Sequence, residues 1–110
     1  MTNVELLNRF FEAENKQDWP AFRGFLDPQV MCFVHSEDTH VPLAGREEFV
    51  NRAMDVAMNE KVTYACEGIE VSESGNRVIA FLRYSDNARI LKIYDYENTL
   101  IKWVYEYTLS

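Results

Sequence analysis

Apolar and polar residues follow one another along the last third of the chain in a pattern that predicts three consecutive strands. Residues 77–85, 88–96 and 99–109 are rich in β-branched and aromatic side chains, and polar pairs separate them. The pairs Asp86-Asn87 and Glu97-Asn98 predict tight turns, because short polar pairs between such runs are typical of antiparallel hairpins. We therefore expect an antiparallel meander in this part of the chain.

These turns also predict a pairing register, with Leu82 opposite Leu91, Lys92 opposite Trp103 and Arg89 opposite Glu106. One face then holds Ala80, Leu82, Leu91, Ile93 and Val104, and the other holds Ile79, Phe81, Ile90, Lys92, Tyr94, Ile101, Trp103 and Tyr105. Both faces are substantially apolar, whereas a small antiparallel sheet commonly leaves one face to water. We expect the Trp103 face to be buried against a second copy of the chain.

Helix signals dominate the first half of the sequence. Residues 2–5 form a capping box, in which Thr2 caps a helix that runs to about Lys16. Asp18 caps a second helix, which Asp27-Pro28 ends. Gly45 begins a third helix with acidic residues in its first turn.

The remaining segments complete an α+β layout. Residues 30–35 predict a short buried strand, residues 36–44 a polar loop, and residues 61–72 a long strand with a bulge near Gly68. Three helices before a four-stranded meander predict an α+β fold in which a curved antiparallel β-sheet wraps around three N-terminal helices. Such a sheet leaves a concave, mostly apolar site for a small ligand. At 110 residues, we expect a single domain over 1–110.

Charge and composition exclude several classes of partner. The net charge of -7 argues against nucleic acid and against an anionic membrane surface. No run is apolar enough to span a membrane, and the N-terminus lacks the features of a signal peptide. Cys32 and Cys66 match no metal or redox spacing and are expected to be reduced, buried thiols. We expect a cytoplasmic protein.

Four stretches together resemble a known family. Residues 9–19 run from a helix into an acidic turn, residues 25–30 link it to the first strand, residues 45–49 begin the third helix, and residues 100–107 form the last strand. In this order they resemble the nuclear transport factor 2-like superfamily, which includes ketosteroid isomerase and SnoaL-like polyketide cyclases. The resemblance implies a cone-shaped α+β fold that often dimerises through its sheet. It does not choose among enzymes, ligand binders and interaction modules.

The resemblance also bears on catalysis. The isomerases carry a tyrosine on the first helix, where this chain has Phe10, and an aspartate base after the first strand, where it has His35-Ser36. Ketosteroid isomerase chemistry is therefore not implied. His35 is the candidate catalytic residue, since a neutral imidazole facing the cavity could act as a general base. The alternative is a hydrogen-bonded histidine at a strand end.

Four further residues are candidate ligand contacts. Phe33, Tyr64 and Trp103 would line the cavity or pack in the core or interface, as strand aromatics commonly do. His40 lies close to two acidic residues in the predicted loop, but their spacing matches no metal motif. We expect that loop to be solvated or to cover the cavity, and we expect neither a metal nor a cofactor.

The leading hypothesis is a homodimeric domain that binds a small, mostly apolar molecule between helices and sheet. One alternative is a cofactor-independent, SnoaL-like lyase, isomerase or cyclase with His35 as general base. The other is a protein-interaction module without an open pocket. The three differ in pocket volume and polarity, because an enzyme needs converging polar groups and a module needs no pocket at all.

Overall fold

The computed structural model describes residues 1–35 and 40–109. Its elements, in chain order, are α1 (Asn3–Asn15), α2 (Trp19–Gly24), β1 (Leu26–His35), β2 (His40–Ala44), α3 (Arg46–Glu60), β3 (Tyr64–Val71), β4 (Arg77–Tyr84), β5 (Arg89–Glu97) and β6 (Leu100–Thr108). The predicted α+β class and the curved sheet are confirmed. None of the helices in the described ranges has the length and apolar character needed to cross a membrane.

The sheet has six strands in the order β2-β1-β6-β5-β4-β3. All neighbours are antiparallel except β1 and β6, which run parallel. The loop predicted over residues 36–44 is wrong for its second half, because residues 40–44 form β2 and pair with β1. Pro42 argued against a strand in the sequence, because proline cannot donate a hydrogen bond to a neighbouring strand. It is tolerated here because β2 lies at the edge of the sheet. Residues 36–39 lie outside the described residues.

The capping residues identified in the sequence mark the starts of the helices. The Thr2 hydroxyl accepts the N–H of Glu5, and the Asp18 carboxylate accepts the N–H of Ala21, so both predicted caps are confirmed. Gly45 precedes α3 with φ of 93°, a conformation that favours glycine. The second helix ends at Gly24, earlier than predicted, and Asp27-Pro28 instead lies in β1 where the β1–β6 pairing is irregular.

The hairpin between β4 and β5 is one residue out of the predicted register. Its loop includes Asn87, whose φ of 70° is left-handed. The longer loop places Leu82 opposite Ile90 instead of Leu91. Because side chains alternate between faces, this single step turns Ile90 and Lys92 toward the helices and Leu91 to the outer face. The predicted bulge near Gly68 is confirmed by a register shift at that point in the β3–β4 pairing.

The hairpin between β5 and β6 departs further from the prediction. Its turn residues, 98–99, both have positive φ, and the pairing beyond them contains an irregularity. Lys92 therefore lies opposite Glu106. The predicted pairings of Arg89 with Glu106 and of Lys92 with Trp103 are both wrong, since the turn one residue later moves each partner by two residues and the irregularity moves it by one more.

The two sheet faces have different surroundings. The inner face packs against α1, α2 and α3, and its buried side chains join the helices in one core. That core includes Leu7, Phe10, Phe11, Phe22, Val50, Val78, Leu82, Tyr94, Ile101 and Val104. The outer face carries half-buried apolar side chains, namely Phe33, Ile79, Phe81, Leu91, Ile93, Trp103 and Tyr105. This division determines which polar residues reach the interior.

Candidate functional site

A pocket of about 220 Å³ opens between α1, α3 and the inner face of the sheet. Its apolar wall is formed by Phe10, Cys32, Leu43, Phe49, Val56, Ile90 and Tyr94. Its polar side chains are Glu14, Arg52, Lys92 and Glu106, with Tyr84 beside them and the exposed Glu60 and Asp86 at its rim. The pocket thus combines an apolar, partly aromatic wall with several charged groups.

Regular spacing brings these residues together. Phe10 and Glu14 are four residues apart on α1 and therefore share one side of that helix. Phe49 and Ala53 are related in the same way on α3. On β5 every second side chain points inward, which puts Lys92 in one row with Ile90 and Tyr94. The pocket is therefore built where the inner faces of three elements meet.

Lys92 and Glu106 form the charged centre of the pocket. They lie directly opposite each other on β5 and β6, and their ammonium and carboxylate are 3.7 Å apart. Only 9 % of Lys92 is exposed. The guanidinium of Arg52, on α3, lies 4.0 Å from the other oxygen of the Glu106 carboxylate. Glu106 therefore faces two cations, one on the neighbouring strand and one on α3, and the second contact links the sheet to that helix.

The protonation state of Lys92 follows from its neighbours. Burial alone would lower the pKa of Lys92, but the Glu106 carboxylate, together with Tyr84, Tyr94 and the Glu14 carboxylate, outweighs burial and holds that pKa well above its ordinary value. The amine is therefore an ammonium ion at neutral pH. It can donate hydrogen bonds to a ligand, but it cannot act as a nucleophile.

A second polar group adjoins the pocket at Glu14. The Tyr64 hydroxyl donates to the Glu14 carboxylate at 2.5 Å. Asn15, the last residue of α1, exchanges two hydrogen bonds with the backbone of Tyr64. Burial and the adjacent Glu14 carboxylate raise the pKa of Tyr64 well above its usual range. These bonds anchor the end of α1 to β3 and position Glu14 against the pocket.

The tyrosine and cysteine side chains of the pocket are neutral. Burial raises the pKa of Tyr94 and of Tyr84, and it raises the pKa of the Cys32 thiol to about 11. A protonated thiol is a poor nucleophile. Among the side chains that the structure describes, no group of three or more metal-ligating residues is close enough to hold an ion. The arrangement is suited to binding through apolar contact and charge-assisted hydrogen bonds.

Comparison with solved structures identifies the architecture. No protein-family model matches the chain, and no curated protein does either. Bal32a, from a soil-derived mobile gene cassette, superposes with a TM-score of 0.88 over 98% of this chain and 89% of its own, at 15% identity. A nuclear transport factor 2-like protein of unknown function from Cytophaga hutchinsonii superposes with a TM-score of 0.82 over 99% and 91%, at 18% identity.

The chain has the nuclear transport factor 2-like fold. A third similar structure, from Jannaschia sp. CCS1, is provisionally named a SnoaL-like polyketide cyclase. Its TM-score is 0.80 over 96% of this chain and 84% of its own, at 15% identity. At these identities the likeness establishes the fold, and the resemblance inferred from the sequence is confirmed at that level.

Within this nuclear transport factor 2-like fold, three sequence-predicted site residues lie away from the pocket. The Phe33 ring stacks on Tyr105 with 5.4 Å between centroids, and the His35 ring stacks on Tyr107 at 4.7 Å. The β1–β6 register puts Trp103 in the same outer row. The position of His35 differs from the expected one because Cys32 and Val34 take the inward positions of β1. A catalytic role for His35 stays a prediction.

The other two predicted site residues have different outcomes. Tyr64 is buried on the inner side and reaches the pocket through its hydrogen bond to Glu14. The side chain of His40 lies outside the part of the chain that the structure describes, although its backbone begins β2. The ligand contacts predicted for both remain predictions.

Sequence reasoning missed the charged centre formed by Lys92, Glu106 and Arg52. One indication was present in the sequence. Lys92 is two residues from both Ile90 and Tyr94 on β5 and therefore lies on the same face of the strand. A lysine in such a row is unusual unless it is paired. The pairing itself depended on the β5–β6 register, which the turn sequence did not reveal.

Proposed function

We propose that this chain binds a small, mostly apolar molecule in the pocket between α1, α3 and the sheet. The observation that carries the proposal is a buried, charged lysine, Lys92, beside the apolar wall of the pocket. Apolar walls with a few polar groups are typical of small-molecule sites. The walls supply affinity, and the polar groups orient the ligand.

The pocket's dimensions limit the size of the ligand. A volume of about 220 Å³ lies below the ~300–1,000 Å³ that is usual for drug-sized molecules. A single ring with short substituents fits this volume. The phenyl and phenol rings of Phe10, Phe49 and Tyr94 offer surfaces against which such a ring can stack or pack edge-on.

Filling the pocket tests this proposal. Ala53 lines the pocket on α3, so Ala53→Phe places a ring inside it, whereas Ala65→Phe adds the same ring at an exposed position on β3. We expect para-methoxybenzyl alcohol at millimolar concentration to shift the NMR resonances of pocket residues in the wild type and in Ala65→Phe. In Ala53→Phe these shifts should vanish. Identical shifts in all three proteins, or none in the wild type, would refute the proposal.

We also propose that two copies of the chain associate through the outer face of the sheet. Half-buried aromatic residues from neighbouring strands form a continuous patch there, with Phe33, Trp103 and Tyr105 at its centre. Large contiguous apolar patches on a folded chain commonly mark interaction sites. The patch lies on the side of the sheet opposite the pocket, so association would leave the pocket open. The cytoplasmic location expected from the sequence stays a prediction.

A further inference from the structure

The inner wall of the pocket imposes a first requirement on its ligand. Lys92 is buried, with 9% of the residue exposed, and the carboxylate oxygen nearest to its ammonium among the described residues, on Glu106, is 3.7 Å away. That separation exceeds hydrogen-bond distance. A ligand that displaces water from the pocket leaves this ammonium with the Glu106 carboxylate and the Tyr84 hydroxyl as its polar neighbours, so an acceptor on the ligand would stabilise it further. A matching ligand therefore carries an oxygen acceptor on its inner end.

The rim of the pocket imposes a second requirement. Glu60, at the end of α3, and Asp86, in the β4–β5 loop, both line the pocket and are exposed. In the described ranges neither carboxylate lies within 4.0 Å of a lysine or arginine nitrogen. One Asp86 oxygen accepts the N–H of Ala88 at 3.0 Å, and its charge is not neutralised by that bond. We call Glu60 and Asp86 the rim carboxylates.

The charges of the lining differ between its interior and its rim. Glu14 and Glu106 are balanced inside the pocket by Lys92 and Arg52. The rim carboxylates have no such balance, so the surplus negative charge of the pocket lies at its opening. The chain as a whole carries a net charge of -7, which adds to the same potential. A ligand with a carboxylate or phosphate at its outer end is therefore repelled, and a cationic one is attracted.

We propose that the pocket selects an amine: a molecule with an apolar ring, an oxygen acceptor directed at Lys92 and a protonated amine at the rim carboxylates. This inference rests on the proposed binding function and adds the chemical class of the ligand.

A matched set of probes tests the charge preference. Para-methoxybenzylamine, para-methoxybenzyl alcohol and para-methoxybenzoate share a ring and a methoxy oxygen, and they differ in charge at the outer end. We expect the amine to bind about tenfold more tightly than the benzoate in low-salt buffer, with the neutral alcohol between them. The preference should shrink with added salt, because the rim carboxylates are exposed. Titration followed by NMR measures all three dissociation constants.

Two charge-matched variants assign the preference to the rim. Glu60→Gln with Asp86→Asn should reduce the amine preference to about twofold or less. Glu70→Gln with Glu73→Gln removes the same charge from exposed positions outside the pocket and should keep the preference. Equal loss in both double variants would show that net charge alone is responsible, and it would overturn the assignment.

The outcomes also separate this inference from the proposed function. If the three probes bind the wild type equally, or the benzoate binds best, the amine selectivity is wrong while ligand binding stands. If none of them binds, or if binding is unaffected by Ala53→Phe, the pocket is not the site and both proposals fail.

Discussion

At the scale of single residues, the Lys92–Glu106 pair is the most consequential feature of the interior. Burying an isolated charge is costly, so each partner is tolerated because the other is present. Lys92 is almost fully covered, and only 16% of the Glu106 side chain is exposed. Arg52 is further out, with 38% of its side chain exposed, and should contribute little.

Breaking this pair should destabilise the protein more than removing it. We expect Lys92→Met to lower the free energy of unfolding by about 3 kcal/mol, because it leaves Glu106 inadequately compensated. Adding Glu106→Gln to that variant should recover at least half of the loss. Arg52→Met is the control and should cost about 0.5 kcal/mol. Urea denaturation measures all three variants, and a Lys92→Met protein as stable as the wild type would contradict this account.

The buried thiol of Cys32 predicts a pH dependence. Burial raises its pKa from 9.0 to about 11, so between these values the folded chain holds a proton that the unfolded chain has released. The stabilising contribution is complete below about pH 9 and is lost as the pH rises to about 11, a loss of about 2–3 kcal/mol. Cys32→Ala should flatten the stability curve from urea denaturation between about pH 9 and 10, below the range in which the buried tyrosines, whose pKa values are raised from 10.0, add their own dependence. Cys66→Ala, at a more exposed thiol, should leave most of the slope in place.

At the scale of elements, the turns control which residues the strands present to the interior. Asn98 and Thr99 both have positive φ, the arrangement of the two-residue turns that match strand twist. A β-branched residue is rarely found there, because its side chain crowds the backbone. The strands, not the intrinsic preference of Thr99, therefore hold this turn in place.

Replacing the strained turn residue should stabilise the hairpin. Thr99 has φ of 65°, so we expect Thr99→Gly to raise the free energy of unfolding by about 0.5–1 kcal/mol. The hydroxyl of Thr99 donates to the carbonyl of Asn98, and loss of that local bond reduces the gain. Thr108→Gly, in the paired end of β6, is the matched control and should be destabilising. A fall in the urea midpoint of Thr99→Gly would count against strain at this position.

At the scale of the whole molecule, the sheet separates two surfaces with different properties. Its inner face supplies the charged centre and the walls of the pocket, and its outer face supplies the aromatic patch of Phe33, Trp103 and Tyr105. A second copy of the chain can therefore cover the outer face while a ligand enters from the other side. The two proposals, ligand binding and self-association, can accordingly be tested independently.

Self-association should depend on the outer face. We expect sedimentation velocity at micromolar concentration to show a dimer for the wild type and a monomer for Trp103→Glu, since a buried, unpaired charge opposes contact. Met58→Glu introduces the same charge at an exposed position on α3 and should remain dimeric. A monomeric wild type at this concentration would refute the dimer, without bearing on the pocket.

The sequence by itself determined the features that depend on near neighbours. These features follow from residues only a few positions apart in the chain. They are the caps at Thr2 and Asp18, the start of the third helix after Gly45 and the bulge near Gly68. The α+β class follows from the order of these elements. The resemblance to the nuclear transport factor 2-like superfamily gave the same fold, since it rests on the same local stretches.

Only the tertiary structure decided which side chains face the interior. The parallel pairing of β1 with β6 joins strands far apart in the chain, and no local pattern encodes it. A displacement of one residue in the β4–β5 hairpin was enough to put Lys92 inside, and the alternation of β1 put His35 outside. Strand residues alternate with a period of two, so the site depends on register, and register is settled by turn conformation and packing across the whole sheet.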